Sequence, residues 1–160
     1  MNKEILKILE EDARRTPQEI AAMTGLKPEE VADVIRQAEE ERLIIRYKAL
    51  VDWSKVEDEY ILALIEVKIS PEKETGFDTI ARTIARYPQV NTLYLVSGAY
   101  DLAVIAVGKS LQEIATFVTQ KLAPTEGVQS TATHFLLKKY KEDGVMLEGE
   151  DRTRRQSVVL

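Results

Sequence analysis

The sequence predicts an α+β chain in two parts, a helical N-terminal domain and a mixed domain with the order β-α-β-β-α-β. Three observations lead there. Apolar residues recur at helical spacing through the first 42 positions, the period changes to two at Tyr60, and capping boxes open a helix in each part. At 160 residues the chain has the size of one large domain or two small ones.

Taking the elements in order, Ile5, Leu6, Ile8 and Leu9 make an i, i+3, i+4 stripe, so residues 2–13 read as a helix. Thr16-Pro17-Gln18-Glu19 is a capping box with proline at the first helical position, and Gly25 closes this second helix with a tight turn. A third helix starts near Pro28, places Val31, Val34, Ile35 and Ala38 on one face, and ends around Arg42. Leu43 to Val51 is β-branched and alternating, which predicts a β-ribbon. Residues 1–51 therefore read as a winged helix-turn-helix, with a small helical dimerisation bundle as the plainer alternative. Residues 52–59 are polar and serve as linker.

From Tyr60, Ile61, Ala63, Ile65, Val67 and Ile69 share one face of a strand and Leu62, Leu64, Glu66 and Lys68 the other. A loop at Ser70-Pro71 leads to a helix from Thr75 to Tyr87, stopped by Pro88. Strands follow at 90–96 and 101–107, joined by Ser97-Gly98-Ala99-Tyr100. Ser110-Leu111-Gln112-Glu113 caps a helix that runs to Leu122, and Val128–Tyr140 is a long last strand. This order, over residues 60–145, is the ferredoxin-like split βαβ, with 146–160 as a flexible tail. Such a sheet carries helices on one face only, yet its strands are apolar on both. The second face needs a cover, and a second copy of the chain is the simplest one.

Composition narrows the function. The 44% hydrophobic and 31% charged residues exclude a disordered tail or a fibrous repeat. No apolar run approaches the ~20 residues of a membrane span, and the charged N-terminus is no secretory signal, so a soluble cytoplasmic protein is expected. There are no cysteines and one histidine, His134, which leaves no disulfide, no thiol catalysis and no multi-histidine metal site; no cofactor is expected. The net charge is −5, and it arises in the first 60 residues, which hold 10 basic and 15 acidic side chains. A negative surface forgoes the counterion release that drives most nucleic-acid binding.

Three motifs in order carry a family resemblance. ILKILEEDARRTPQEIAAMTGLKPEEV, VSGAYDLAVIAV and GVQSTATHFLLKKYK resemble the first helices, the glycine-x-tyrosine-aspartate turn and the last strand of the Lrp/AsnC, or feast/famine, transcriptional regulators. The resemblance covers the chain to about residue 145. It implies a first domain that binds double-stranded operator DNA. It also implies a second domain that forms homodimers, often four in an octameric ring, and binds an amino acid or similar small effector between subunits.

The residues adjust that expectation. Where the family caps its third helix with serine or threonine, this chain has Lys27, which cannot accept the helix N–H groups, a loss of roughly 1 kcal/mol. Lys27, Arg36 and Arg42 oppose Glu29, Glu30, Asp33, Glu39, Glu40 and Glu41. A carboxylate can accept from cytosine N4 but cannot hold a phosphate, and acidic groups at a helix N-terminus suit its dipole. The DNA-binding candidates are Lys27, Glu30, Arg36, Arg42 and, on the ribbon, Arg46 and Lys48. The effector candidates are Gly98 and Tyr100 in the turn, Asp101 for an α-ammonium group, and the hydroxyls of Thr131 and Thr133. A tight hairpin would explain Gly98 and Asp101, plain β-propensity the threonines, and packing at a subunit contact Tyr100.

His134 reads as a packed or interface side chain, Glu39 to Glu41 as a solvated face, and Arg152, Arg154 and Arg155 as a basic terminus. Two rivals remain beside the regulator. One is an effector-binding partner protein that has lost DNA contact. The other is an enzyme like the sirohaem decarboxylases, against which stand the lone histidine and only Arg82 and Arg86 between positions 60 and 140.

Overall fold

The computed structural model describes residues 2–56, 60–70 and 76–147. The chain divides into two compact units between Val51 and Asp52.

The first unit is three helices, α1 (Lys3–Glu11), α2 (Pro17–Thr24) and α3 (Pro28–Glu40). The Thr16 box forms in both directions. Glu19 N–H donates to the Thr16 hydroxyl at 3.3 Å, and the Glu19 carboxylate accepts from Thr16 N–H at 2.8 Å. Gly25 ends α2 with φ 73°, a left-handed turn that glycine adopts without strain. Ile5, Leu9, Ile20, Ala21 and Val31 form the core, with Ile8, Leu26, Val34, Ile35 and Ile44 packed on it.

Two expectations fail here. Helix α3 stops at Glu40 rather than Arg42, and Arg42 takes the turn beyond it with φ 56°. The wing is also absent as a ribbon, since residues 43–51 form no strand. The amides of Leu43 and Ile44 both turn back onto the carbonyl of Ala38, at 2.8 and 3.0 Å. Among the described residues of this unit there is no strand for residues 45–51 to pair with. Apolar side chains at Leu43, Ile45 and Tyr47 are left exposed along the segment.

The second unit opens with a 3₁₀ turn, Trp53–Lys55, in what the sequence reads as linker. It continues with β1 (Ile61–Ile69), α4 (Gly76–Ala85), β2 (Val90–Leu95), β3 (Leu102–Gly108), α5 (Leu111–Phe117), a π-helical turn at Val118–Leu122, and β4 (Val128–Leu136). The sheet has the order β2-β3-β1-β4 with every pair antiparallel, the ferredoxin-like arrangement. Ala63, Ile65, Val67 and Ile69 of β1 pack with Leu102, Val104 and Ala106 of β3 beneath Ile80, Ile84, Ile114, Phe117 and Leu122. Both helices thus cover one face.

β4 ends at Leu136, short of the expected Tyr140, because its last partner on β1 is Leu62. Beyond it a small hairpin forms instead, β5 (Lys141–Glu142) with β6 (Val145–Met146). Asp143 and Gly144, at φ 47° and 81°, make its turn, and an Asp-Gly pair is a sequence signal for this kind of hairpin. The expected linker positions 57–59, the loop and helix start at Pro71 and Thr75, and the basic terminus at 148–160 lie outside the described residues.

Candidate functional site

In the first unit the expected DNA-binding residues follow the exposed side of α3. Lys27 makes no side-chain cap, but its N–H donates to the Glu30 carboxylate at 3.0 Å, so half of a capping box survives. Glu30 thereby has a structural task at the helix start, where its charge also meets the positive end of the dipole. Arg36 is drawn onto Asp33 at 2.7 Å, both side chains 68% exposed. An ion pair so open to water is weak, so a phosphate can compete for the guanidinium. Arg42 sits in the left-handed turn, and Arg46 and Lys48 lie on the extended segment beyond it.

One contact on this side had no signal in the sequence. Tyr47 donates its hydroxyl to the Glu39 carboxylate at 2.8 Å, fastening the extended segment to α3. Partial desolvation of the hydroxyl first, and then this bond to a carboxylate, push the phenol up to about 12. The stretch Glu39 to Glu41 is thus more than a solvated face, for Gln37 also donates to Glu41 at 2.7 Å.

In the second unit Asp101 enters β3 against the far end of β1. Its N–H donates to the Val67 carbonyl at 3.0 Å, and its carboxylate accepts from Ile69 N–H at 2.8 Å. That amide needs an outside acceptor because it faces β3 beyond the last β1–β3 pair, Val67 with Leu102. Asp101 is therefore structural whatever else it does, and one carboxylate oxygen is committed. Thr131 pairs with Val67 from the other side, and Thr133 with Ile65, so both hydroxyls belong to the helix-bearing face of β4, half-buried. Two strand spacings separate Thr131 from the start of β3, about 10 Å. Tyr100 is half-buried beside Asp101, while Gly98 is exposed. Gly98 does not have a positive φ, and a Cβ there would meet nothing within 4 Å, so the turn does not require glycine.

The uncovered face of the sheet carries Leu62, Leu64, Ile105, Val107 and Leu136. Among them His134 Nε2 approaches Glu66 Oε1 at 3.4 Å. Among the described residues no three metal-binding side chains cluster, and no helix is long and apolar enough to cross a membrane.

Set beside known proteins, residues 1–39 match the AsnC-type helix-turn-helix domain and residues 62–146 the Lrp/AsnC ligand binding domain. The HTH-type transcriptional regulator YugG of Bacillus subtilis is 44% identical over 153 residues, 95% of this chain and 92% of that one. A transcriptional regulator from Neisseria meningitidis, solved as its L-methionine complex, is 25% identical; the match covers 91% of this chain and 94% of that one with a TM-score of 0.71. A feast or famine regulatory protein from M. tuberculosis, also complexed with L-methionine, shares the fold at 19% identity and a TM-score of 0.72, over 91% and 95% of the two chains.

Proposed function

The chain belongs to the Lrp/AsnC family of transcriptional regulators, and from that premise we propose that it is a cytoplasmic homodimer that reads operator DNA through α3 and senses an amino acid through its second unit. The observation that carries the sensing half is the shared position of Asp101 and Thr131 on either side of Val67. At this end of the sheet Asp101 takes the ammonium group, backbone N–H groups of the same turn take the carboxylate, and Thr131 supplies a hydroxyl to the rest of the ligand. The L-methionine complexes of two structural relatives support this ligand class. The apolar face of Leu62, Leu64, Ile105 and Leu136 is covered by a second copy, and the octameric ring that the family resemblance implies is the further assembly open to such dimers. Pairs of first units then bind half-sites together, and effector binding at subunit contacts biases their spacing.

Arg36, Arg42, Arg46 and Lys48 supply the phosphate contacts, and Lys27 and Glu30 stand at the end of α3 nearest the base edges. With so many carboxylates beside them, each unit binds weakly and the assembly supplies the avidity. The test is fluorescence anisotropy on the protein's own promoter and on random duplexes, at two salt concentrations, with and without amino acids. Promoter binding weakens with salt, and Arg36→Ala lowers the slope of log K against log salt by about 1. The acidic α3 favours one other reading, an effector-binding partner protein without DNA contact. Absence of promoter binding at low salt, with and without amino acids, establishes that reading in place of the regulator.

A further inference from the structure

At the opposite end of β3 from Asp101, six residues or about 20 Å along the strand, a second site is built that the effector reading does not use. Gln89, which leads into β2, fixes this end by accepting Val107 N–H on its carbonyl at 2.8 Å. Its side-chain Oε1 is buried and has no hydrogen-bond partner, alone in this among the side-chain atoms of the described residues. A buried acceptor left empty is unfavourable, and a rotation of the half-buried Gln89 side chain, which lines the adjoining cavity, brings it to a donor there.

A cavity of about 480 Å³ lies against it, walled by Glu113, Thr116, Gln120 and Lys121 and including Phe117 in its lining. Ser110 is spent on the helix cap, accepting from Glu113 N–H at 3.1 Å, and one Glu113 oxygen accepts from Lys109 N–H at 2.8 Å. Those bonds hold the Glu113 carboxylate at the start of α5 and leave its second oxygen for a ligand. Lys121 lies eight residues on, about 12 Å of helix. It sits in the π turn, where Ala123 N–H reaches the Val118 carbonyl at 2.8 Å. The wider turn carries both Gln120 and Lys121 to the cavity, and such turns recur at functional sites. The ring of Phe117, held edge-on by Tyr87 at 5.6 Å, offers an apolar wall.

We propose that this cavity binds a small elongated zwitterion, its ammonium on Gln89 Oε1 and the Glu113 carboxylate and its carboxylate at Lys121. Glu113 and Lys121 stand eight residues apart on the wall, and that separation suits an ω-amino acid or a dipeptide better than an α-amino acid, whose two groups share one carbon. The proposal is independent of the effector reading, because none of its residues is among Asp101, Thr131 and Thr133.

The test is a two-dimensional ¹⁵N–¹H NMR titration of the full chain with 5-aminopentanoate, with glycylglycine, and with L-alanine as the short control. One or both of the long probes saturate shifts at the Gln89 side-chain amide, Thr116 and Gln120, and which one does so separates the two ligand sources. Gln89→Leu and Lys121→Gln each weaken that binding about tenfold or more, whereas Gln89→Glu keeps the acceptor and retains it. Asp101→Asn leaves it unchanged. Melting curves of each variant report that it is folded. Absence of saturation by either long probe overturns the proposal, as does equal binding of L-alanine. Binding untouched by Gln89→Leu in a folded protein overturns it too.

Discussion

Asp101 is asked to hold the chain and to hold a ligand, and two substitutions separate those tasks. Asp101→Ala removes the acceptor at 2.8 Å from Ile69 N–H, which lies beyond the last β1–β3 pair and has no ladder partner on that side. Ile69 is only 6% exposed, so little water replaces the carboxylate. A part-buried donor left unpaired costs about 1–3 kcal/mol. For a unit of this size about 2 kcal/mol lowers Tm by roughly 10 °C. Asp101→Asn keeps an oxygen in the same place and loses only the assistance of the charge, about 1 kcal/mol or less, so Tm falls by roughly 5 °C. Ligand binding ranks the two differently. An amide oxygen no longer neutralises an ammonium group, so both variants weaken L-methionine binding, measured calorimetrically, by about tenfold or more. Calorimetric scanning gives the stability half of the same experiment. Unchanged L-methionine affinity in Asp101→Asn would refute the ligand role and leave the carboxylate as a clasp on β1. A Tm for Asp101→Ala equal to that of the wild type would refute the clasp.

Three further outcomes are expected. Gly127 has φ 86° and faces Ile80, so Gly127→Ala combines a left-handed strain with a crowded Cβ and lowers stability by about 1–3 kcal/mol; an unmoved urea midpoint would show that the loop between α5 and β4 adapts. Thr16→Ala removes the cap of α2 and costs about 1 kcal/mol, read from helical circular dichroism. The Thr16 amide and hydroxyl hold the Glu19 carboxyl below its ordinary value. The stability this gives is present above the unfolded carboxylate pKa and is lost as pH falls through the lower folded one, so Thr16→Ala, which keeps the amide and loses only the hydroxyl, flattens the acid limb in part. Tyr47 titrates near 12 when folded and near 10 when free, so its contribution is whole below about pH 10 and is lost as pH rises towards 12. Tyr47→Phe should remove that alkaline loss, and an identical alkaline midpoint in the variant would mean the Glu39 bond does not form in solution.

How much of the molecule was legible in the sequence depended on how far each interaction reaches along the chain. The capping boxes at Thr16 and Ser110 bridge three residues and appear as written, and the alternation from Ile61 to Ile69 places its odd residues in the core. Interactions between distant residues were hidden. Nothing in the sequence links Asp101 to Ile69, 32 positions away, or sets Gln89 beside α5, and Tyr47 reaches Glu39 only because the expected ribbon folds back instead. The failed ribbon and the shortened β4 have one physical cause. A strand exists only where a neighbour supplies its hydrogen bonds, and alternation records that a segment suits a sheet without recording whether a second strand reaches it. Residues 43–51 keep the β-branched pattern and exposed apolar side chains of a strand with no partner among the described residues of their own unit. The open sheet face at Leu62, Leu64 and Leu136 tells the same story for side chains. Where pattern and single-chain structure disagree in this way, the unpaired segment and the open sheet face are the surfaces that the proposed second copy would cover.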